Sequence, residues 1–342
     1  MRNIPGLIGI VIIALLFGCD SHNRDGKCPD GNSVYFWRSV FSLSDAENEF
    51  LDANDVKTIY LHLFDVVKGP DGMPVPDNTL RFDLSSRPVR QIVPTVFIAE
   101  STLKDTTIDL SELAGNIIDR ADDMLVKNGL SRPEEIQLDY DWTQSDRNAY
   151  FRLLTLAAER LHSEGRRLSA TIRLHQLAQT PPEVDYGVLM VYNIGNFADP
   201  EEKNSILSIE NLKPYLRYLR GYPLPLVTAL PLYDWNLLFH QDKFKVIARG
   251  IDVEDTAAFR KVDDSHYVAL AYGAVPMSYG PKGGARIYPG DIVRREVSDV
   301  QTVDSALSLI RERRPSMTKR IVLYHLDPQY LDRANRIFQK RK

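Results

Sequence analysis

Eight apolar segments of strand length alternate with helical patterns from residue 34 to the end of the chain. They span residues 34–41, 56–65, 91–99, 135–142, 168–176, 187–193, 224–232 and 320–327. Most are rich in Val, Ile, Leu, Tyr and Phe, which is typical of strands covered on both faces. Repeated strand–helix units predict an α/β fold with a parallel sheet, and eight of them predict a closed (β/α)8 TIM barrel. The alternative is an open doubly wound sheet, which needs a Gly-rich phosphate turn that the first strand lacks.

The helical patterns carry start and stop signals of their own. Helices are predicted over residues 44–53, 111–127, 146–163, 208–219, 302–313 and 328–339. Ser44 precedes Glu47 by three residues, which is a capping box. Ser111 is the predicted N-cap of the second helix, and Gly165 ends the third.

Two segments interrupt the regular order. Residues 66–90 contain four prolines and no helical pattern, so we predict a long loop in place of a helix. Residues 240–300 are too long for one connection between the seventh and eighth strands. Within them, residues 266–274 and 285–297 resemble short strands, and Gly280, Gly283 and Gly284 lie between them. We predict a small β-rich insertion there, on the catalytic side of the barrel.

The N-terminus predicts where the protein works. Residues 1–18 contain a short apolar run that ends in a glycine directly before Cys19. This pattern predicts a lipoprotein signal peptide, with Cys19 as the lipidated (palmitate-bearing) first residue after cleavage. An ordinary signal peptide or a short membrane anchor is the alternative, although the run is too short to span a bilayer comfortably. Residues 19–32 would then be a lipidated tether and residues 33–342 the barrel, in a bacterial cell envelope protein on the periplasmic or outer surface.

Composition limits the partners. A net charge of −4 over 342 residues predicts neither nucleic acid nor an anionic membrane face as partner. With Cys19 assigned to the lipid, Cys28 is the second of only two cysteines, so neither an internal disulfide nor a thiolate metal site is expected. We expect a monomer without a cofactor or metal, whose membrane contact is the lipid.

The fourth predicted strand ends in two acids, Asp139 and Asp141. Side chains alternate along a strand, so both carboxylates are expected on one face. Two adjacent buried carboxylates shift each other's pKa values apart, and the pKa of the deeper Asp139 should rise unless Arg173 on the next strand neutralises it. A purely structural pair with Arg173 is the alternative. A barrel enzyme places such acids under its substrate.

The other strand ends are rich in polar and aromatic residues. They carry Trp37 and Arg38, His62 and Asp65, Glu100, Arg173 and His175, Tyr192, Asn193 and Asn196, Tyr233, Asp234 and Trp235, and Tyr324, His325 and Asp327. Aromatic faces stack on sugar rings, and carboxylates and amides bond sugar hydroxyls, so this mixture suits a glycan. The predicted substrate-binding residues are Trp37, Trp142, Arg173, His175, Tyr192, Asn193, Tyr233, Trp235 and Asp327. For Trp142, Tyr192 and Trp235, packing in the core is the alternative role.

Two short motifs are similar to those of a known family. Residues 138–143, Leu-Asp-Tyr-Asp-Trp-Thr, resemble the fourth-strand Asp-x-x-Asp-x-Asp-x-Glu motif of chitinase-like glycoside hydrolases of family 18. Residues 190–193, Met-Val-Tyr-Asn, resemble the Met-x-Tyr-Asp/Asn of its sixth strand. The resemblance implies a (β/α)8 barrel with an inserted piece before its eighth strand. It also implies that Asp139 and Asp141 lie under the scissile sugar with Tyr192 beside them, in a bacterial lipoprotein branch of this family.

The chain departs from the family at the residue that matters most for catalysis. The general acid of the motif, a glutamate, falls on Thr143, and its first aspartate falls on Ile136. A threonine hydroxyl is far too weak an acid to protonate a leaving group at neutral pH. Glu100, which ends the neighbouring third strand, is our first candidate for a displaced acid. The others are Asp65, Asp146 and Asp234.

Three functions remain open on this sequence. The first is an envelope glycoside hydrolase that acts on an N-acetylhexosamine-containing or related glycan, with Asp141 stabilising charge, Asp139 tuning it and Glu100 as acid. The second is a non-catalytic glycan-binding lipoprotein, which Thr143 favours. The third is a metal-dependent hydrolase with ligands among His62, His175, His325 and the two aspartates. It is disfavoured because no His-x-His or His-x-x-x-His pair occurs.

Overall fold

The computed structural model describes Cys28 and residues 31–83, 90–104, 107–275 and 285–340. Eight parallel strands form the barrel: β1 Asn32–Phe36, β2 Val56–Lys68, β3 Gln91–Ile98, β4 Glu135–Asp139, β5 Arg167–Arg173, β6 Tyr186–Met190, β7 Leu226–Pro231 and β8 Ile321–Tyr324. Each strand pairs with the next, and β1 pairs with both β2 and β8, which closes the barrel. The predicted (β/α)8 fold is confirmed. The predicted signal peptide, Cys19 and the glycines at 280, 283 and 284 lie outside the described residues.

The strands are buried on both faces, as their apolar composition predicts. Every residue of β4, β6 and β7 is buried. Polar residues inside the barrel satisfy each other: the Tyr35 hydroxyl donates to Gln137 Oε1 at 2.7 Å, and the hydroxyls of Tyr60 and Tyr186 lie 2.6 Å apart. The barrel is therefore a packed core, and a ligand must bind at one of its ends.

Helices surround most of the barrel. They are α1 Asp45–Ala53, α2 Leu110–Lys127, α3 Arg147–Ser163, α4 Ile209–Leu212, α5 Leu216–Leu219, α6 Val300–Arg313 and α7 Leu331–Gln339. The capping box of α1 is present, since Ser44 N donates to Glu47 Oε2 at 2.9 Å and Ser44 Oγ accepts from Glu47 N. The helix predicted over 208–219 is interrupted by the 3₁₀ turn Lys213–Tyr215, because Pro214 has no N–H to donate.

The predicted N-cap of α2 is wrong. The cap is Asp109, whose Oδ1 accepts from the backbone N–H groups of Ser111 and Glu112 at 2.8 and 3.1 Å. An aspartate placed two residues earlier can accept two otherwise unpaired N–H groups, so the helix starts before Ser111.

The described part of segment 66–90, residues 66–83 and 90, contains no helix, as predicted, but its first part is not a loop. Strand β2 continues to Lys68 and turns back into the antiparallel strand Pro74–Asp77. Prolines 74 and 76 are tolerated because this strand lies at an edge, where a missing N–H breaks no second ladder. A further pair, Arg81–Phe82, runs parallel to Val40–Phe41. The hairpin therefore covers one side of the barrel mouth.

A five-stranded antiparallel sheet lies between β7 and β8. Its order is Lys243–Ile247, Asp234–His240, Ile292–Val297, His266–Ala269 and Phe259–Lys261. The strand of this sheet that comes first in the chain, Asp234–His240, begins three residues after the end of β7 at Pro231. The sheet therefore starts earlier than the predicted boundary at residue 240. The sheet has a small core of its own, which includes Leu238, Val253, Tyr267 and Val293. Among the described residues, no helix has the length and hydropathy needed to cross a bilayer.

Candidate functional site

A cleft of about 590 Å³ opens at the carboxyl ends of the barrel strands. Its lining includes the predicted residues Trp37, Arg38, His62, Asp65, Asp139, Asp141, Arg173, His175, Tyr192, Asn193 and Tyr324. In parallel barrels this end carries the chemistry, because the loops that follow the strands all meet there. The structure thus brings residues from six strand ends together in one place.

Asp139 is held in a buried ion pair. Its Oδ1 accepts from the Arg173 guanidinium at 2.9 Å and from the Thr171 hydroxyl at 2.6 Å. Burial acts to lower the pKa of Arg173, but the charges of Asp139 and Asp141 outweigh it and raise that pKa. Arg173 thus neutralises Asp139, as one of the two sequence-based alternatives anticipated. A second guanidinium nitrogen at the cleft, Arg173 Nη1, is buried and has no hydrogen-bond partner among the described residues.

Asp141 lies in a different environment from Asp139. Strand β4 ends at Asp139, so Asp141 belongs to the loop, and 56% of its side chain is exposed. Its Oδ1 lies 3.3 Å from both His175 Nε2 and Gln176 Nε2. Both acids line the cleft, but they are not hydrogen-bonded to each other. Asp141 is thus an open carboxylate, while Asp139 is already paired.

Tyrosines form one wall of the cleft. The rings of Tyr192 and Tyr324 stack with centroids 4.9 Å apart, and Tyr233 meets Tyr324 edge-on at 5.8 Å. Within the described part of the chain, the buried Tyr192 hydroxyl has no hydrogen-bond partner, and burial raises its pKa well above the ordinary value. Tyr233 does not line the cleft, but its hydroxyl donates to Asn193 Oδ1 and so holds a residue that does.

Strand β2 contributes a histidine–aspartate pair. His62 Nε2 lies 2.7 Å from Asp65 Oδ1, and the His62 ring stacks on Trp37 with centroids 4.3 Å apart. Asn78 Nδ2 donates to Asp65 Oδ2 at 2.5 Å. Both His62 and Asp65 were recognised as strand-end residues, but their pairing was missed. Asn78 and Arg81, which also line the cleft, were missed because they lie in the segment predicted to be a loop.

Several predicted site residues lie elsewhere. Trp142 is 0% exposed and packs edge-on against Phe151 of α3, so its predicted role in substrate binding is contradicted. Residue 142 is an odd number of positions from both Asp139 and Asp141, so alternation puts its ring on the face opposite the two acids. Trp235 lies outside the cleft lining and donates from Nε1 to Glu296 at 2.7 Å. Asp327, also outside it, caps the short 3₁₀ turn Pro328–Tyr330.

Of the four candidate acids, only Asp65 lines the cleft. Glu100 has 62% of its side chain exposed and forms an ion pair with Lys104 at 2.5 Å, so our first choice is not placed at the site. Asp146 accepts from Thr143 N at 2.7 Å and from Thr143 Oγ1 at 3.1 Å, at the start of α3. Asp234 is paired with Arg333 through both carboxylate oxygens.

The described residues contain no group of three or more His, Cys, Asp or Glu side chains arranged to hold a metal ion. His62 and His175 each face an aspartate instead. Burial lowers the pKa of His325, although the nearby Asp327 partly opposes this. Each of the three histidines therefore has its own separate environment.

Sequence comparison finds no matching family model and no matching curated protein. Solved structures do match. The C-terminal domain of a putative chitinase from Desulfitobacterium hafniense DCB-2 has a TM-score of 0.52 at 13% identity, over 91% of this chain and 99% of that one. A chitinase from Chromobacterium violaceum ATCC 12472 has a TM-score of 0.50 at 14% identity, over 92% and 100% of the two chains.

The spore cortex-lytic enzyme SleL of Bacillus megaterium QM B1551 also matches, with a TM-score of 0.50 at 14% identity, over 91% of this chain and 75% of that one. These identities are low, and what is shared is the course of the backbone. The resemblance of the strand motifs to chitinase-like glycoside hydrolases is thereby confirmed at the level of the fold. This chain therefore shares its (β/α)8 barrel fold with these chitinase structures and with the cortex-lytic enzyme.

Proposed function

We propose that this protein is an envelope-anchored glycoside hydrolase that acts on an N-acetylhexosamine-containing glycan. The observation that carries the proposal is a pair of buried polar atoms at the cleft, Tyr192 Oη and Arg173 Nη1, which have no hydrogen-bond partner in the part of the chain that the structure describes. A buried polar group without a partner is costly, so such atoms at an open cleft indicate a ligand that supplies the missing bonds. Both atoms can donate to oxygen, and an acetamido carbonyl or a sugar hydroxyl provides one.

The shape and chemistry of the lining support a sugar. Trp37 and Tyr324 offer aromatic faces, while Asp141, His175 and Asn193 offer polar atoms at the rim. This is the mixture that pyranose rings require, since they have apolar faces and hydroxylated edges. A volume of about 590 Å³ lies within the range of small-molecule sites and fits a few sugar units.

The names of the similar structures are consistent with this substrate class. Two are chitinases and one is a spore cortex-lytic enzyme. Fold similarity by itself does not establish activity, so these names contribute a substrate class and the residues must carry the chemistry. In the proposed reaction, the open carboxylate of Asp141 stabilises positive charge at the anomeric carbon, and the Asp139–Arg173 pair holds the floor of the cleft.

Hydrolysis is tested directly on purified full-length protein in detergent. Peptidoglycan and chito-oligosaccharides are incubated with the wild type, and new reducing ends are measured. We expect release from at least one substrate and its loss in Asp141→Asn. The matched control is Asp123→Asn, which removes an exposed carboxylate on α2 far from the cleft and should leave the rate unchanged. Absence of product from every glycan would refute hydrolysis.

A non-catalytic glycan-binding protein is the second candidate, and Thr143 favours it. The Thr143 hydroxyl is bonded to Asp146 and offers no acidic proton. In this case, calorimetry with chito-oligosaccharides would show binding without product on prolonged incubation. Trp37→Ala and Tyr192→Phe would weaken binding, while Asp141→Asn would change it little. Slow release of product would exclude this candidate.

A further inference from the structure

We propose that His62, positioned by Asp65, is the proton donor to the glycosidic oxygen in this cleft. The proposal rests on the hydrolytic function above and supplies the acid that Thr143 cannot. Three observations support it: a bulge in strand β2, the stacking of the His62 ring on Trp37, and the orientation of the His62 imidazole by Asp65.

The bulge puts both residues on the cleft side. In a regular strand, residues three apart point to opposite faces. Strand β2 pairs His62 with Thr95 and Phe64 with Val96, so Leu63 is an extra residue without a partner on β3. This single insertion reverses the alternation, as bulges do. Phe64 therefore faces α2, where Arg120 lies 5.1 Å over its ring, while Asp65 joins His62 at the cleft.

The imidazole is held in one orientation. Trp37 stacks on its face, with an angle of 23° between the ring planes, and only 7% of His62 is exposed. Because Nε2 faces the Asp65 carboxylate at 2.7 Å, the Nε2 proton is donated there. Among the described residues, Nδ1 has no hydrogen-bond partner, so it is the ring nitrogen left to act on a substrate.

Asp65 is better suited to position His62 than to donate a proton itself. Its Oδ1 accepts from His62 and its Oδ2 accepts from Asn78, so both oxygens are engaged as acceptors. A carboxylate whose two oxygens both accept hydrogen bonds is suited to orient a neighbouring imidazole, as in other carboxylate–histidine pairs. His62 can then carry the proton that is transferred.

The His62–Asp65 pair and the acids that follow strand β4 line the same cleft, two strands apart in the barrel. Asp65 is in register with Phe97, and Phe97 is in register with Asp139. Two strand spacings of about 4.8 Å place the Asp65 and Asp139 Cα atoms about 10 Å apart. A proton donor on one side and a charge-stabilising carboxylate on the other is the arrangement that glycoside hydrolysis needs.

The proposed step balances as follows. The His62 imidazolium transfers its Nδ1 proton to the glycosidic oxygen while the bond from the anomeric carbon to that oxygen breaks, and the electron pair stays with the leaving oxygen. Asp141 stabilises the positive charge that develops at the anomeric carbon. Water then adds to this carbon and gives a proton to Nδ1, which restores the imidazolium. The net reaction is addition of one water across one glycosidic bond.

The test compares leaving groups that differ in their need for an acid. Chitobiosides of 4-methylumbelliferone and of 2,4-dinitrophenol are hydrolysed by the full-length wild type and by His62→Gln. A dinitrophenolate leaves without protonation, whereas the poorer leaving group requires it. We expect His62→Gln to lower kcat about 100-fold or more for methylumbelliferyl chitobioside, the range for general acid catalysis. For the dinitrophenyl substrate, we expect less than about a fivefold loss.

Two further variants keep the result unambiguous. Asp65→Asn leaves the imidazole in place and should show a smaller loss with the same dependence on leaving group, which a purely structural role would not produce. His162→Gln, on the surface of α3, is the matched control and should leave both rates unchanged. If His62→Gln does not fold, the Asp65→Asn result decides.

The possible failures are distinguishable. Equal losses on both substrates, or no loss, would overturn the role of His62 while hydrolysis itself stands. A wild type that cleaves neither substrate nor any glycan, but binds chito-oligosaccharides, would overturn hydrolysis and the role of His62 together. Glycan binding would then remain.

Discussion

At the residue scale, two buried tyrosines, Tyr192 and Tyr222, allow an effect on ligand binding to be distinguished from an effect on stability. Tyr192 Oη and Tyr222 Oη are both buried without a hydrogen-bond partner among the described residues, but of the two only Tyr192 lines the cleft. Burial raises the pKa of both hydroxyls, so each keeps its proton near neutral pH. Their shared chemistry and different positions make them a matched pair.

Tyr192→Phe should lower glycan affinity without loss of stability. It removes a hydroxyl that makes no bond in the free protein, so the free energy of unfolding should change by less than about 0.5 kcal/mol. A lost hydrogen bond to the ligand should weaken binding about tenfold, which corresponds to about 1.4 kcal/mol. Calorimetry with chito-oligosaccharides and urea unfolding measure the two quantities.

Tyr222→Phe is the control for this prediction, because it removes an equally buried hydroxyl away from the cleft. Neither affinity nor stability should change in it. An unchanged affinity in Tyr192→Phe would show that the Tyr192 hydroxyl does not contact the ligand.

Glu135, at the start of β4, gives the stability of the protein a dependence on pH. Its side chain is fully buried, and Oε1 accepts from Ser169 at 2.7 Å and from Tyr186, while Arg167 lies 3.1 Å from Oε2. Burial raises the pKa of Glu135, although the Tyr186 hydrogen bond and the Arg167 charge partly oppose it. The folded protein therefore holds this proton to higher pH than the unfolded chain.

A group of this kind stabilises the fold below its unfolded pKa of about 4.5, and this contribution is lost as pH rises through the folded pKa. Glu135→Gln cannot ionise, so its free energy of unfolding should gain relative to wild type as pH rises from about 4.5 to 7. Urea unfolding across this range measures the difference. A difference that stays constant with pH would contradict the raised pKa.

At the scale of elements, the start of α2 shows how little a short motif specifies. The sequence favours Ser111 as N-cap, yet the observed cap is Asp109, which binds two N–H groups. Asp109→Ala should lower the free energy of unfolding by about 1 kcal/mol, the usual effect of losing an N-cap. Ser111→Ala should change it by less than about 0.5 kcal/mol. Urea unfolding of both variants checks the assignment, and the reverse order would restore Ser111.

At the scale of the whole molecule, the barrel is expected to be held at a membrane by its N-terminus. In this proposal, a lipid on Cys19 would supply the attachment. Cys19→Ser should move the protein from the membrane fraction to the aqueous fraction. Cys28→Ser, which alters the other cysteine, should leave it in the membrane fraction.

Fractionation followed by immunoblotting measures the distribution of both variants, and mass spectrometry of the N-terminal peptide should find acyl chains on Cys19. Retention of Cys19→Ser in the membrane fraction would instead favour an uncleaved apolar anchor.

Much of the fold and part of the site follow from local sequence. All eight strands were predicted because continuous apolar runs mark strands buried on both faces. Asp139, Asp141 and Tyr192 were placed at the cleft because parallel strands end on one side of a barrel. Trp142 was misplaced because an aromatic residue beside the two acids was assigned to the cleft, although side-chain alternation puts residue 142 on the face opposite Asp139 and Asp141. Its ring packs against Phe151 of α3 instead.

The sequence by itself determined the barrel, the order of its strands and the end at which polar side chains meet, because backbone periodicity and apolar burial act over a few residues. Only the tertiary structure decided which side chains pair. Arg173 reaches Asp139 from the next strand, and Asn78 reaches Asp65 through a hairpin. The bulge at Leu63 that turns Asp65 toward His62 exists only in the pairing of β2 with β3. Such contacts join residues far apart in the chain, and they form only when the barrel closes.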